Sequence, residues 1–191
     1  GALAMGTSNT AKLYAANGTS IWMSSNGNAS PASNITWTSV SGNGLPAGRS
    51  ITFIAVNPDN SNDVFVTLDG FADGQKVYRS ANSGTSWTNI SGSLPNVAMN
   101  CIAYEDNNAS PDDALYVGTD IGIFYRDNSI GDWVSFRNGL PCAPVFDIEI
   151  YEASNKIIAA TFGRGLWQSN LYTGCPGGWS LTVANDPSNP N

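Results

Sequence analysis

Asp147 and Glu149 stand two residues apart in the run Phe146-Asp147-Ile148-Glu149-Ile150. In an extended strand, residues i and i+2 share a face, so both carboxylates would be presented together. Paired carboxylates hydrolyse glycosides when suitably separated; a solvated pair lining a channel is the plainer alternative. A second group sits on one loop, where Asp69, Phe71 and Asp73 alternate with small residues. Its ring could stack on a sugar and its carboxylates accept sugar hydroxyls. The alternative is a solvated turn whose Phe71 covers a neighbouring element. Arg164 lies between Gly163 and Gly165, placed to hold an anionic or glycan group or to pair with a carboxylate, Asp120 being the first candidate. The run 59–63 alternates oxygen-bearing side chains as a calcium loop does, yet lacks the Gly and the closing Glu of an EF-hand. It and the acidic stretch 105–113 are read as inter-strand turns. Calcium is the one ion with any ligand pattern, and no metal site or cofactor is expected.

Composition removes other chemistries. The chain of 191 residues has no histidine, which excludes a Ser-His-Asp triad, a Cys-His pair and a His-ligated zinc. Cys101, Cys142 and Cys175 form no C-x-x-C motif, and the sequence leaves their pairing open. The formal net charge of -7 argues against a nucleic-acid partner or an anionic membrane surface. No apolar run approaches the length of a membrane span, so no insertion is expected.

These groups need a scaffold. Charged residues make up only 12% of the chain while Gly, Asn and Ser are abundant, a composition of short strands and turns. Leu-Pro recurs at Leu45-Pro46, Leu94-Pro95 and Leu140-Pro141, each preceded by a Trp at Trp37, Trp87 or Trp133. An apolar–aromatic pair recurs at Ile21-Trp22, Val77-Tyr78, Ile123-Phe124 and Leu166-Trp167. This repeat length is that of four-stranded propeller blades. The spacing predicts an all-β chain of about four four-stranded antiparallel blades. Residues 7–46 form a partial blade without its inner strand, 47–95, 96–141 and 142–183 form three more, and 184–191 are a linker-like tail. Residues 1–6 read as a cloning scar. An incomplete ring leaves unpaired edges, so contact with further blades or with a second copy is expected.

Between the third and fourth strands of the second unit lies Ser80-Ala81-Asn82-Ser83-Gly84-Thr85-Ser86-Trp87. It resembles the Asp-box of bacterial-neuraminidase-repeat (BNR) propellers, with Asn82 in place of Asp. The stretch Arg126 to Trp133, with Asn128 at the Asx position, is a degenerate copy, and Ser24-Ser25-Asn26-Gly27 is a weaker one. Ser80, Asn82, Gly84, Trp87, Asn128 and Trp133 are therefore read as structural: the Asx caps backbone N–H groups, Gly takes positive φ, and Trp packs between sheets. The segment Ala159-Ala160-Thr161-Phe162-Gly163-Arg164-Gly165-Leu166-Trp167 is similar to one common in exported BNR proteins of Bacteroidetes-type bacteria.

That resemblance implies a secreted or cell-surface propeller of the class that includes sialidases, xyloglucan hydrolases and sortilin-type receptor domains. It implies ligand contact on the loops joining second to third strands and on the crossovers between blades, which puts Asp69, Phe71, Asp73, Asp120 and Arg164 among the ligand-binding candidates. A sialidase would need an arginine cluster, and Arg49, Arg79, Arg126, Arg137 and Arg164 do not form one along the repeat. Three functions remain. One is a non-catalytic binding or scaffold module contacting glycan or protein. Another is part of a glycoside hydrolase using Asp147 and Glu149. The last is a purely structural spacer in a large surface protein.

Overall fold

The computed structural model describes residues 1–106, 114–174 and 178–182. Cys175, most of the acidic stretch 105–113 and the tail 184–191 lie outside them. The described residues form four four-stranded antiparallel sheets, each ordered as the chain runs. Blade 1 holds β1 (Ala2–Met5), β2 (Leu13–Asn17), β3 (Ser20–Ser24) and β4 (Thr38–Ser39). Blade 2 holds β5 (Ile51–Val56), β6 (Val64–Leu68), β7 (Val77–Ser80) and β8 (Thr88–Asn89). Blade 3 holds β9 (Met99–Glu105), β10 (Ala114–Thr119), β11 (Gly122–Asp127) and β12 (Val134–Ser135). Blade 4 holds β13 (Val145–Tyr151), β14 (Lys156–Thr161), β15 (Gly165–Asn170) and β16 (Ser180–Thr182). β1 packs on β5, β5 on β9 and β9 on β13, so the first strands of the blades stand side by side at the inner edge. No helix among the described residues is long and apolar enough to cross a membrane.

One expectation is corrected. Blade 1 does not lack its inner strand: Ala2 to Met5 pair with Ala16 to Leu13 in register. Residues 1–6 were expected to lie outside the fold, yet their alternation suits this position. Ala2 and Ala4 turn toward blade 2 and pack on its core, while Leu3 and Met5 face the other way. The strand also gives the free edge of β2 its hydrogen-bond partners.

Three apolar cores fill the spaces between consecutive blades. The registers superpose. Leu3, Ile54, Ile102 and Ile148 on the inner strands pair with Ala15, Val66, Val117 and Ala159 on the second strands. These in turn pair with the aromatics Trp22, Tyr78, Phe124 and Trp167 on the third. At each junction one face of a blade meets the opposite face of its predecessor, as stacked sheets do.

The Trp that opens each outer strand ties the junction. The indole nitrogens of Trp87, Trp133 and Trp179 donate to the carbonyl oxygens of Val40, Ile90 and Phe136 at 2.9, 2.7 and 3.1 Å. Each acceptor lies three residues beyond the preceding blade's Trp. These three rings are 5–6% exposed, whereas Trp37, which has no blade against it among the described residues, is 43% exposed.

The turn before Trp87 is held by its own polar side chains. Asn82 Oδ1 accepts from Ser86 N at 2.9 Å and from Ser80 Oγ, which itself accepts from Gly84 N at 2.7 Å. Gly84 has φ +83°, and a Cβ there would stand 2.6 Å from Val40 of blade 1, so both backbone shape and packing require glycine. Asn26 repeats the arrangement in blade 1, accepting from Ser24 Oγ and Thr36 N. In blade 3 Asp127, one residue before Asn128, accepts from Ile130 N at 2.7 Å and Ser129 Oγ at 2.9 Å. Cys101 and Cys142 are free thiols. Burial pushes the Cys101 thiol up to about 12, so it stays protonated at neutral pH.

Candidate functional site

The candidate site is the end of the sheets where second strands turn into third strands and where the chain crosses to the next blade. Hydrogen bonds join these segments. Ile51 N donates to Gly18 O, Asp69 N to Ser50 O, and Phe162 N to Pro144 O at 2.8–2.9 Å. Arg137 Nη1 reaches Ile121 O at 3.1 Å. Loops and crossovers therefore form one connected rim rather than separate tips.

In blade 2 the loop 69–74 projects with Asp69, Phe71 and Asp73 exposed. Phe71 covers no neighbour; it is among the most exposed large apolar side chains. The loop is held from beneath. Lys76 is fully buried, and its Nζ donates to Gly70 O at 2.7 Å and to Asn96 Oδ1 at 2.9 Å. Arg49 Nη2 adds a bond to Asp69 O. Burial holds the Lys76 ammonium below its ordinary pKa, the Arg49 charge adds to this, and Asp73 and Asp69 oppose it. The sequence analysis gave Lys76 no role. Its signal was a lone Lys at the start of an apolar strand, directly after an acidic loop.

In blade 3, Asp120 is half-buried and accepts from Asn100 Nδ2 at 3.2 Å. In blade 4, Arg164 is exposed and its carbonyl accepts from Trp167 Nε1 at 2.8 Å. Arg164 and Asp120 form no ion pair. The ion pair among the described residues is Arg79–Asp63, two-pronged at 2.7 and 2.9 Å with the guanidinium over the Phe65 ring, at the opposite end of the sheets. A cleft opens there between blades 2 and 3, lined by Arg79, Tyr104, Arg126 and Asp127. Arg79 is engaged by Asp63, and Arg126 donates to Ile90 O, so this cleft offers no arginine cluster.

Asp147 and Glu149 do share a face of β13, with Ile148 buried between them on the other side. That face is the one turned away from blade 3. At the corresponding inner-strand positions the other blades carry Ala2 and Ala4, Phe53 and Ala55, and Cys101 and Ala103. Asp147 Oδ1 accepts from Ile148 N at 3.0 Å. No group of three or more carboxylate or thiol side chains among the described residues is placed to hold a metal.

The feature that sequence reasoning missed is an aromatic pair. A register shift between Val145 and Asp147 turns Phe146 out of the β13 alternation. Its ring meets Phe162 edge-to-face, with centroids 6.0 Å apart and planes at 83°. Both rings are exposed, at 53% and 70%. The blade 4 corner thus carries two bare rings, with Asp147 next to Phe146 and Arg164 two residues after Phe162 along the chain.

No protein-family model and no curated protein matches the chain. Solved structures do. The GH74 xyloglucanase from Xanthomonas campestris is similar with a TM-score of 0.69 at 14% identity, over 96% of this chain and 30% of that one. An ancestral GH74 enzyme is similar with a TM-score of 0.67 at 18% identity, over 94% of this chain and 27% of that one. At these identities the likeness establishes the propeller fold alone. The chain spans less than a third of the length of either enzyme.

Proposed function

We propose that these blades are a non-catalytic binding module of a secreted or cell-surface bacterial protein, engaging a polysaccharide through the loop rim. The observation that carries this reading is the exposed Phe146–Phe162 pair. Bare aromatic rings are costly to leave in water and suit the apolar face of a pyranose. Asp147 and Arg164, neighbours of these rings along the chain, supply an acceptor and donors for hydroxyls in this reading, and Phe71 with Asp69 and Asp73 repeats the combination on blade 2. Affinity electrophoresis of the chain in gels containing xyloglucan, other β-glucans or pectins tests it. Retardation by one polysaccharide, abolished in Phe146→Ala/Phe162→Ala, is the expected result. No retardation by any of them would sink the reading.

A second reading is favoured by the similarity to GH74 enzymes: the chain is part of a glycoside hydrolase. It predicts release of reducing ends from xyloglucan that disappears in Asp147→Asn. Binding without release decides for the first reading.

A further inference from the structure

The same irregularity recurs in three inner strands. In blade 2, Ile51 and Phe53 pair with Leu68 and Thr67, which leaves Thr52 between them. In blade 3, Met99 and Cys101 pair with Thr119 and Gly118, which leaves Asn100. In blade 4, Val145 and Asp147 pair with Thr161 and Ala160, which leaves Phe146. Each is a one-residue bulge at the rim end of its strand, and a bulge re-aims the side chain that it carries. Contacts between blades hold the three bulges next to one another. The Thr52 hydroxyl donates to Met99 O, beside Asn100, at 2.7 Å. The Cys101 thiol, on the other side of Asn100, reaches Val145 O, beside Phe146, at 3.8 Å. Thr52, Asn100 and Phe146 thus form a row along the inner rim.

The row has a closed end and an open end. The Thr52 hydroxyl is spent on Met99 O and on the Thr67 hydroxyl at 2.8 Å. Asn100 instead meets Asp120 of the turn between β10 and β11, its Nδ2 donating to Oδ1 at 3.2 Å. That bond orients the amide and the carboxylate. It leaves Asn100 Oδ1 and Asp120 Oδ2 without a partner among the described residues. Both side chains are half-buried, and both belong to blade 3, which has a described blade on either side. An amide N–H and two carbonyl-type oxygens at this spacing complement two adjacent sugar hydroxyls. A pair already held by its own bond also loses little freedom on binding. We propose that Asn100 and Asp120 are the hydroxyl-reading half of the rim site, next to the rings of Phe146 and Phe162. This rests on the polysaccharide reading and adds specificity to it. The aromatic pair accepts any flat sugar face, whereas the amide–carboxylate pair requires a sugar with free vicinal hydroxyls. Thr52 holds the row in place and touches no ligand.

Affinity electrophoresis of the whole chain over a series of xyloglucan, mixed-linkage β-glucan and pectin concentrations tests the proposal, with the melting temperature of each variant measured alongside. Asn100→Ala and Asp120→Ala should melt with the parent. Each should weaken retention by the polysaccharide that holds the parent about tenfold. The double variant should fall close to the single ones, because the two side chains act as a unit. Thr52→Val should melt earlier and be retained like the parent. One measurement needs no variant. An O-methylated form of the same polysaccharide keeps its ring faces and loses its hydroxyl donors, and the parent should hold it no better than Asp120→Ala holds the native polymer. Retention that is unchanged in Asn100→Ala and Asp120→Ala, or undiminished by O-methylation, would overturn the proposal and leave the aromatic reading standing. Equal weakening in Thr52→Val would also overturn it, because the row would then act through packing alone. A parent chain retained by none of the three polysaccharides would overturn both.

Discussion

The hydroxyl of Tyr116 donates to Glu105 Oε2 across 2.8 Å, and both side chains are buried in blade 3. Tyr172 N in turn donates to the same hydroxyl at 2.9 Å, which joins blade 3 to the segment after β15. Burial raises the Glu105 pKa above its ordinary value, the Tyr116 bond opposes this, and the carboxylates Glu152 and Asp127 add to it. A carboxyl whose pKa is higher folded than unfolded contributes stability below its unfolded value and loses it as pH rises through the folded one. Melting temperature should therefore fall as pH rises from 4.5 through the raised value. Glu105→Gln, which keeps a hydrogen-bonding side chain without the charge, should flatten that slope. An identical slope in the variant would remove Glu105 as its source.

Asp132 predicts the opposite arm. Its Oδ1 accepts from Ser93 N of blade 2 at 2.9 Å and from Trp133 N at 2.8 Å. These two bonds, the Ser93 one first, hold its pKa below 3.8. A lowered carboxyl stabilises above its unfolded pKa, and that contribution is lost as pH falls from 3.8 through the lower folded value. Thermal unfolding of Asp132→Ala at acid pH should show a shallower loss than the parent.

The inter-blade indole bonds make a graded pair of substitutions. Trp133→Phe removes one hydrogen bond while retaining a ring, and should cost about 1 kcal/mol. Trp133→Ala also empties the space between blades 2 and 3 and should cost about 3–5 kcal/mol. Urea titration followed by circular dichroism reads both. Equal losses would mean that the ring contributes nothing beyond its N–H.

Lys76→Met keeps the aliphatic stem and removes the ammonium, leaving Gly70 O and Asn96 Oδ1 without their donor. The expected loss is about 1–3 kcal/mol. The local effect should be larger than the global one. Hydrogen exchange in residues 69–75 should accelerate by more than unfolding does, and retention on polysaccharide should weaken if Phe71 contributes to it. Exchange that rises evenly over blade 2 would mean that Lys76 supports the blade and not the loop.

Much of this architecture is legible in the residues. The strands around Ile51, Lys156 and Leu166 follow from apolar alternation bounded by Asn and Gly turns, and the recurring Trp sets the blade length. What escaped depends on distant partners. Ala2 to Met5 are too short and too plain to read as a strand until β2 offers an edge. The Phe146–Phe162 contact needs the register shift after Val145, which sequence spacing does not show. Asp120 was assigned to Arg164 by charge, yet Asn100 lies opposite it across the crossover. The buried end of Lys76 is visible only once the loop folds over it.

The indoles of Trp87, Trp133 and Trp179 all reach back toward the preceding blade. During synthesis, a blade leaving the ribosome therefore meets a surface that is already complete. Its own aromatic then locks it to that surface without waiting for anything downstream. Growth is a polymerisation of blades in one direction, with nearest-neighbour contacts as the only requirement. Released chains ending just after Pro95 and just after Pro141 should already resist protease over blades 1–2 and 1–3 respectively.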